Sequence, residues 1–252
     1  MLKRMKLAIK IFLTLFNFFE YKNININTLI LQIQLVGNKS LGIVLLTAFF
    51  VGMVFSFQII KELLYLNASN FIGSILTISF IRELSPILTS IIVVGRIGSY
   101  FTSELASMKI TEQIDALHIL GVNPIIYLVL PRLYACLIML PILNILSFAT
   151  SLSSSAYLCF ILYSINSQIF FSSALASLFY LDVIKSCLKS CIFAIIISII
   201  SCAWGLSAIS SSQGVGLATT SSVVFSLISI LSLDFILSYF MFNSVQGTFQ
   251  LL

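Results

Sequence analysis

The sequence predicts an all-α integral membrane protein, and three observations lead to this fold class. Of its 252 residues, 60% are hydrophobic and only 8% are charged, and the mean hydropathy is +1.14. Soluble domains carry roughly 25% charged residues, so 13 Lys and Arg with 8 Asp and Glu are too few to cover a globule of this size. The uncharged residues also fall in runs of at least about 20, the length that a helix needs to cross a bilayer.

The first two spans are predicted near residues 41–60 and 71–95. Residues 41–60 lie between Lys39 and Lys61 without any charge, and as a helix they reach about 30 Å, one hydrocarbon thickness. The second run is of similar length but contains Arg82 and Glu83. A charge at the centre of a bilayer is rare and costly, so these two side chains should face the protein interior, water or each other.

Three further spans are predicted near residues 133–162, 184–208 and 218–242. No charge occurs between Arg132 and Asp182, which is far more chain than one crossing needs, and we therefore expect an outside segment that ends near Tyr180. A polar patch at residues 210–216 divides the next uncharged run into two spans. Five spans place the two ends of the chain on opposite sides of the membrane.

Residues 1–38 are predicted to form an N-terminal interfacial amphipathic segment. Lys3, Lys6 and Lys10 share one helical face, and apolar residues such as Leu7 and Ile11 cover much of the rest, as in helices that lie in the membrane plane. A cleaved signal peptide is the alternative, but no small-residue cleavage site follows. Nine of the 13 basic residues precede the first span or lie between the second and third, which predicts a cytoplasmic or stromal N-terminus.

A helix near residues 103–118 is predicted outside the bilayer, on the same side as the N-terminus. Its apolar residues fall near helical spacing at Leu105, Met108, Ile114 and Leu117. Glu112 and Asp115 are three residues apart and share its polar face. The pattern alone is equally that of a solvated connector, because nothing in its periodicity names a partner.

Four charges are predicted to meet inside the membrane, namely Arg82, Glu83, Lys189 and Asp234. A central charge costs about 2.5–3.5 kcal/mol on insertion scales, which favours mutual pairing at matching depth. Two roles remain open for this cluster: a direct part in the activity of the protein, and ion pairs that only hold the helices together.

Two blocks of sequence carry a resemblance to a known family. The first contains R-E-L-x-P, G-R-x-G-S, E-L-x-x-M, E-Q-I-D-A-L, G-V-x-P and P-R, in this order between Arg82 and Arg132. The second contains K-S-x-x-F from Lys189, G-V-G-x-A-T-T from Gly214, and Asp234. In motif order and spacing the chain resembles the MlaE-type ABC transporter permeases, which include bacterial phospholipid-trafficking permeases and the chloroplast trigalactosyldiacylglycerol-pathway lipid importer.

The resemblance implies a permease subunit of an ATP-driven transporter that moves phospholipid or a related lipid between the membrane and an MCE-domain lipid-binding partner. It also implies a homodimer bound to a separate ABC ATPase subunit, with the helix near 103–118 as the coupling helix and Glu104, Glu112 and Asp115 as its contacts. The chain has no G-x-x-x-x-G-K-[ST] motif for ATP, so hydrolysis is expected in the ATPase subunit and this chain is not expected to be an enzyme. Family members often carry basic residues in the loop between the fourth and fifth spans, whereas residues 210–216 of this chain contain none.

Four residues near the outer ends of the first two spans are candidates for lining a lipid cavity: Phe57, Leu64, Tyr65 and Phe71. Each is also the kind of residue found in ordinary packing or lipid-facing positions. No cofactor, metal or nucleic-acid partner is expected, because the chain has one His and five Cys without a C-x-x-C pair.

Three other functions are alternatives to transport by an ABC permease. A secondary proton-coupled transporter would use the four intramembrane charges as a relay, and a non-transporting membrane scaffold would need none of them. An intramembrane enzyme is opposed by the position of the single histidine, His118, on the helix outside the bilayer. The 39 Ile against 14 Ala indicate an AT-rich coding sequence, which favours the plastid inner envelope, with a bacterial inner membrane as the alternative.

Overall fold

The computed structural model describes residues 7–9, 11, 26–209 and 211–242. Within these ranges the protein is helical and contains no strand. Most of the segment predicted to be interfacial, residues 1–6, 10 and 12–25, lies outside the described residues.

Nine α-helices and three π-helical segments follow one another within the described residues. The α-helices are α1 (Ile26–Tyr65), α2 (Ile72–Ser79), α3 (Ser85–Val93), α4 (Ser99–Ile110), α5 (Gln113–Ile119), α6 (Leu130–Tyr163), α7 (Ser167–Ala176), α8 (Tyr180–Leu206) and α9 (Ser212–Phe242). The π-helical segments are Phe80–Leu84, Val94–Gly98 and Ile125–Val129, and a short 3₁₀ turn covers Ser69–Phe71.

Among the described residues, five stretches are long and apolar enough to cross a membrane, which confirms the predicted fold class. They are Ile26–Tyr65, Ser69–Ile110, Ile125–Tyr163, Tyr180–Leu206 and Ser212–Met241. The helices are longer than the predicted spans, because helical geometry continues beyond the uncharged residues that define each span. The clearest case is α1, whose 40 residues reach about 60 Å and include both Lys39 and Lys61.

The second span is one helical path made of five pieces, α2, Phe80–Leu84, α3, Val94–Gly98 and α4. A π-helical turn holds an extra residue and changes the directions in which the following side chains point. Arg82 and Glu83 lie in the first π-helical segment and Arg96 lies in the second. Arg82, Glu83 and Arg96 therefore sit where the helix departs from α geometry, whereas Glu104 and Lys109 lie in α4.

The described residues form two compact units, each with its own hydrophobic core. The first unit lies within Met1–Ser40, Ser90–Leu140 and Cys191–Ser232, and its core includes Ile11, Leu105, Val129, Leu133 and Trp204. The second unit lies within Leu41–Thr89, Pro141–Ser190 and Leu233–Leu252, and its core includes Ile60, Leu76, Phe80, Cys159 and Phe170.

Helix α7 lies in the segment that was predicted only as an outside connection. Asn166 caps it, because its side-chain oxygen accepts a hydrogen bond from the Gln168 backbone N–H. α7 packs closely on α2 at Gly73, where a Cβ would overlap the carbonyl oxygen of Phe170 and the hydroxyl of Ser173. The close packing of α7 on α2 in the second unit therefore depends on the absence of a side chain at Gly73.

Candidate functional site

Three of the four predicted intramembrane charges meet around the ammonium group of Lys189. Its Nζ lies 2.6 Å from Asp234 Oδ1 and 2.9 Å from Glu83 Oε2. It also donates hydrogen bonds to Ser238 Oγ at 2.8 Å and to the carbonyl oxygen of Arg82 at 3.1 Å. An ammonium group has three protons, so these four acceptors saturate it.

Ser238 completes this arrangement, although the sequence pattern did not single it out. It lies four residues after Asp234, one helical turn along α9, and so shares a face with that carboxylate. While Lys189 donates to its oxygen, the Ser238 hydroxyl lies 3.0 Å from Glu83 Oε2 and can donate to it. A search for polar residues one turn from Asp234 would have found this serine.

The side chain of Arg82 turns to a different partner, Asp182. Arg82 Nη2 lies 2.9 Å from Asp182 Oδ2. Adjacent side chains on a helix point in different directions, which explains why Arg82 and Glu83 serve separate ion pairs. Asp182 lies in the first turn of α8, where the helix dipole also favours a negative charge.

In the sequence, Asp182 stands out only as the first charge after Arg132. The signal that could have marked it is its place as an acid in the first turn of a span, with an arginine inside another span in need of a partner.

Accessibility differs sharply among these charges. The Lys189 side chain is fully buried, whereas the side chains of Arg82 and Glu83 are 23% and 40% exposed. Lys189 lies about 14 Å along α8 from its start, and Asp234 lies about 10 Å before the end of its span, so neither is in a terminal turn. The arrangement is a buried lysine between two carboxylates, with one of them reachable from outside the protein.

The segment predicted as one helix near 103–118 consists of two helices, α4 and α5. The break lies at Thr111 and Glu112, and Glu112 adopts a left-handed conformation with φ of 57°. An L-residue other than glycine holds this conformation at a cost of about 1–2 kcal/mol. Glu112 and Asp115 are both exposed, so the break presents two carboxylates at the start of α5.

Glu104, the third acid predicted on this segment, pairs within the first unit. Its Oε2 lies 2.7 Å from Nη2 of Arg132, whose side chain is almost fully buried near the start of α6. The Arg132 guanidinium also lies 5.6 Å from the Phe101 ring centre. Glu104 therefore ties α4 to α6, and the acids available to another protein are those beyond the break.

An open apolar cleft of about 350 Å³ lies beside α5. Its walls are formed by Met108, Gln113, Ile114, Ala116, Leu117, Leu120, Tyr127 and Leu128. Ile119 follows at the end of α5 with 87% of its surface exposed. Apolar surface of this kind, next to the two exposed carboxylates, is typical of an interaction site.

The four candidate cavity residues have different surroundings. Lys61 Nζ lies 4.0 Å from the ring centre of Phe57, a cation–π contact. Leu64 is partly buried against the core of the second unit, while Tyr65 and Phe71 are exposed. All four belong to the second unit, as the intramembrane charges do.

Comparison with known proteins gives a consistent assignment over most of the chain. The family described as Permease MlaE matches residues 29–240. The chain is 48% identical over 247 residues to the "Probable ABC transporter permease protein ycf63" of Pyropia yezoensis, which covers 98% of this chain and 94% of that relative.

Two further relatives come from a plant and from Synechocystis. Protein TRIGALACTOSYLDIACYLGLYCEROL 1, chloroplastic, of Arabidopsis thaliana is 45% identical over 219 residues, 87% of this chain and 63% of the relative. A "Probable ABC transporter permease protein" of Synechocystis sp. is 42% identical over 217 residues, 86% of this chain and 82% of the relative. These matches confirm the resemblance found in the motifs, and the chain belongs to the MlaE permease family.

Proposed function

We propose that this chain is the permease subunit of an ATP-driven ABC transporter that moves phospholipid or a related lipid between the membrane and an MCE-type lipid-binding partner. The observation that carries the proposal is the match of residues 29–240 to the permease family, together with relatives named ABC transporter permeases. The name of the Arabidopsis relative refers to a galactolipid, which supports a lipid as the substrate.

A separate ATPase subunit would bind at α5. Glu112 and Asp115 offer exposed carboxylates to basic or hydrogen-bonding groups of that subunit. The cleft next to them offers apolar surface for one or more inserted side chains. Glu104 would support this contact indirectly, because its ion pair with Arg132 holds α4.

The lipid would contact the apolar surfaces of two copies of the chain. Only 28% and 17% of the most apolar stretches of α1 and α9 are buried within one chain, so these helices have most surface left for a second copy or for acyl chains. Phe57, Leu64, Tyr65 and Phe71 would line the cavity, since acyl chains need a wide apolar surface rather than specific donors.

The charge cluster would hold helices together through buried ion pairs, while some of its side chains stay accessible from outside the protein. Lys189 is saturated and buried, so it would hold the second, fourth and fifth spans together. Arg82 and Glu83 keep exposed surface and are therefore the members that a lipid headgroup can reach.

We place the protein in the plastid inner envelope with its N-terminus in the stroma. The support is the excess of Lys and Arg before the first span and between the second and third, and the chloroplastic relative. A bacterial inner membrane is the alternative location.

Mass spectrometry of lipids retained by the purified protein with its ATPase tests the substrate class. Phospholipid or a related lipid should be recovered, and less of it from Phe57→Ala. Ile209→Ala is the matched control, because Ile209 is also an exposed apolar residue but lies in the first unit, away from the four candidate cavity residues in sequence. Recovery of no lipid from a complex with active ATPase would contradict the proposal.

A further inference from the structure

The carboxyl-terminal end of the second span packs along α8 through one continuous helical face. The parts that make this contact, residues 98–109 and 201–206, both belong to the first unit. The residues of this face are spaced four, three and four apart, as on one side of an α-helix. They are Gly98, Thr102, Leu105 and Lys109, and their partners on α8 are Ser201, Gly205 and Leu206.

The two backbones approach closely along this face. A Cβ on Gly205 would lie 2.8 Å from Leu105 Cβ and 3.0 Å from the carbonyl oxygen of Thr102. The Thr102 hydroxyl lies 3.0 Å from the carbonyl oxygen of Ser201. Small residues four positions apart allow such contact between membrane helices, and here they pack α4 tightly against α8.

Lys109 closes the contact at the end of α8. Its Nζ donates a hydrogen bond of 2.8 Å to the carbonyl oxygen of Leu206, the last residue of that helix. The final carbonyl groups of a helix lack intrahelical partners and carry the negative end of its dipole, so a lysine there is both a cap and a favourable charge. Lys109 is also three residues before Glu112, where the chain turns into α5.

We propose that Lys109 is a positioning residue that fixes the end of α8 to the segment contacting the ATPase, so that displacement of α5 moves α8. This inference rests on the proposed function. Helix α8 is uninterrupted over 27 residues, about 40 Å, and carries Asp182 and Lys189 near its other end. A displacement passed to Leu206 therefore acts on the same helix that carries Asp182 and Lys189, whose three salt bridges join it to Arg82, Glu83 and Asp234.

The test measures coupling in the reconstituted complex of this chain, its ATPase and its lipid-binding partner. ATP hydrolysed and fluorescent phospholipid transferred are measured in the same proteoliposomes. For Lys109→Met, ATP hydrolysis should stay close to wild type while lipid transferred per ATP falls at least about fivefold, the lower end of typical coupling between sites. Lys109→Arg should transfer nearly as much lipid per ATP as the wild-type protein, since arginine retains the positive charge and a hydrogen-bond donor.

Two more variants separate positioning from general stability. Ser107→Ala, at an exposed residue of the same helix, is the matched control and should behave as wild type. Gly205→Ala should lower the lipid transferred per ATP as Lys109→Met does, because its Cβ pushes α4 from α8. If Lys109→Met does not assemble, Gly205→Ala tests whether the contact between α4 and α8 couples hydrolysis to transfer.

If Lys109→Met transfers as much lipid per ATP as the wild-type protein, Lys109 does not have the proposed role. The same conclusion follows if Lys109→Met and Lys109→Arg both lose ATP hydrolysis and lipid transfer to the same extent. Absence of ATP-dependent transfer in the wild-type complex would instead overturn the proposed function itself.

Discussion

Lys189 Nζ and Asp234 Oδ1 lie 2.6 Å apart and join the fourth and fifth spans inside the apolar part of the chain. The Lys189 side chain has no exposed surface, and Glu83 supplies its second carboxylate. Removing one partner of a buried ion pair lowers the free energy of unfolding strongly, because it leaves a buried charge without compensation, whereas removing all the charges together costs little.

Lys189→Met should lower the free energy of unfolding by about 3–5 kcal/mol, because Glu83 and Asp234 are left without their cation. The triple variant Lys189→Met, Glu83→Gln, Asp234→Asn removes all three charges and should recover most of that loss. Thermal unfolding in detergent measures both. A single variant as stable as the wild-type protein would show that the ion pairs hold nothing together.

The pair of Arg82 and Asp182 should show measurable coupling in a double-mutant cycle. Arg82→Gln and Asp182→Asn each break the 2.9 Å contact, and the double variant should cost less than their sum by about 0.5–3 kcal/mol. Thermal unfolding of the four proteins gives the coupling energy. Strict additivity would mean that the contact contributes no stability.

Gly73→Ala should loosen the contact between α2 and α7, because the new Cβ overlaps the Phe170 carbonyl oxygen. A loss of about 1–3 kcal/mol is expected, as for other overpacked sites. Gly42→Ala is the matched control within the same unit, since a Cβ there meets no atom within 4 Å, and it should be neutral or slightly stabilising. Equal melting temperatures for the two variants would argue against this packing.

Glu112 combines a charge with a left-handed backbone, and two substitutions separate these properties. Glu112→Lys should prevent co-purification of the ATPase, since it reverses the charge at the proposed contact. Glu112→Asn should weaken co-purification less, since asparagine tolerates a left-handed backbone and has a polar side chain. Full retention of the ATPase by Glu112→Lys would count against α5 as the coupling helix.

The sequence was sufficient to predict the helical membrane fold, because lipid demands long apolar helices wherever charge is absent. It was not sufficient for α7, whose ten residues are too short for a span and too apolar to stand out from its neighbours. The break at Glu112 was also missed. The spacing of apolar residues continues across Glu112, so it does not predict the left-handed φ of this residue.

The partners of the charged residues could be predicted only in part. Depth matching brought Lys189 together with Glu83 and Asp234, since all three must avoid lipid. It did not reveal that Arg82 pairs with a residue 100 positions away or that Lys109 caps α8. The contact of Lys109 with Leu206 depends on how α4 and α8 face each other, and the close packing at Gly205 contributes to that arrangement.

The central claim, ATP-driven lipid transfer through this permease, is tested most directly in proteoliposomes that contain the chain with its ATPase and lipid-binding partner. Transfer of fluorescent phospholipid should require ATP and stop with a non-hydrolysable analogue. Transfer that continues at the same rate without the ATPase subunit, or that follows an imposed proton gradient instead, would contradict the account.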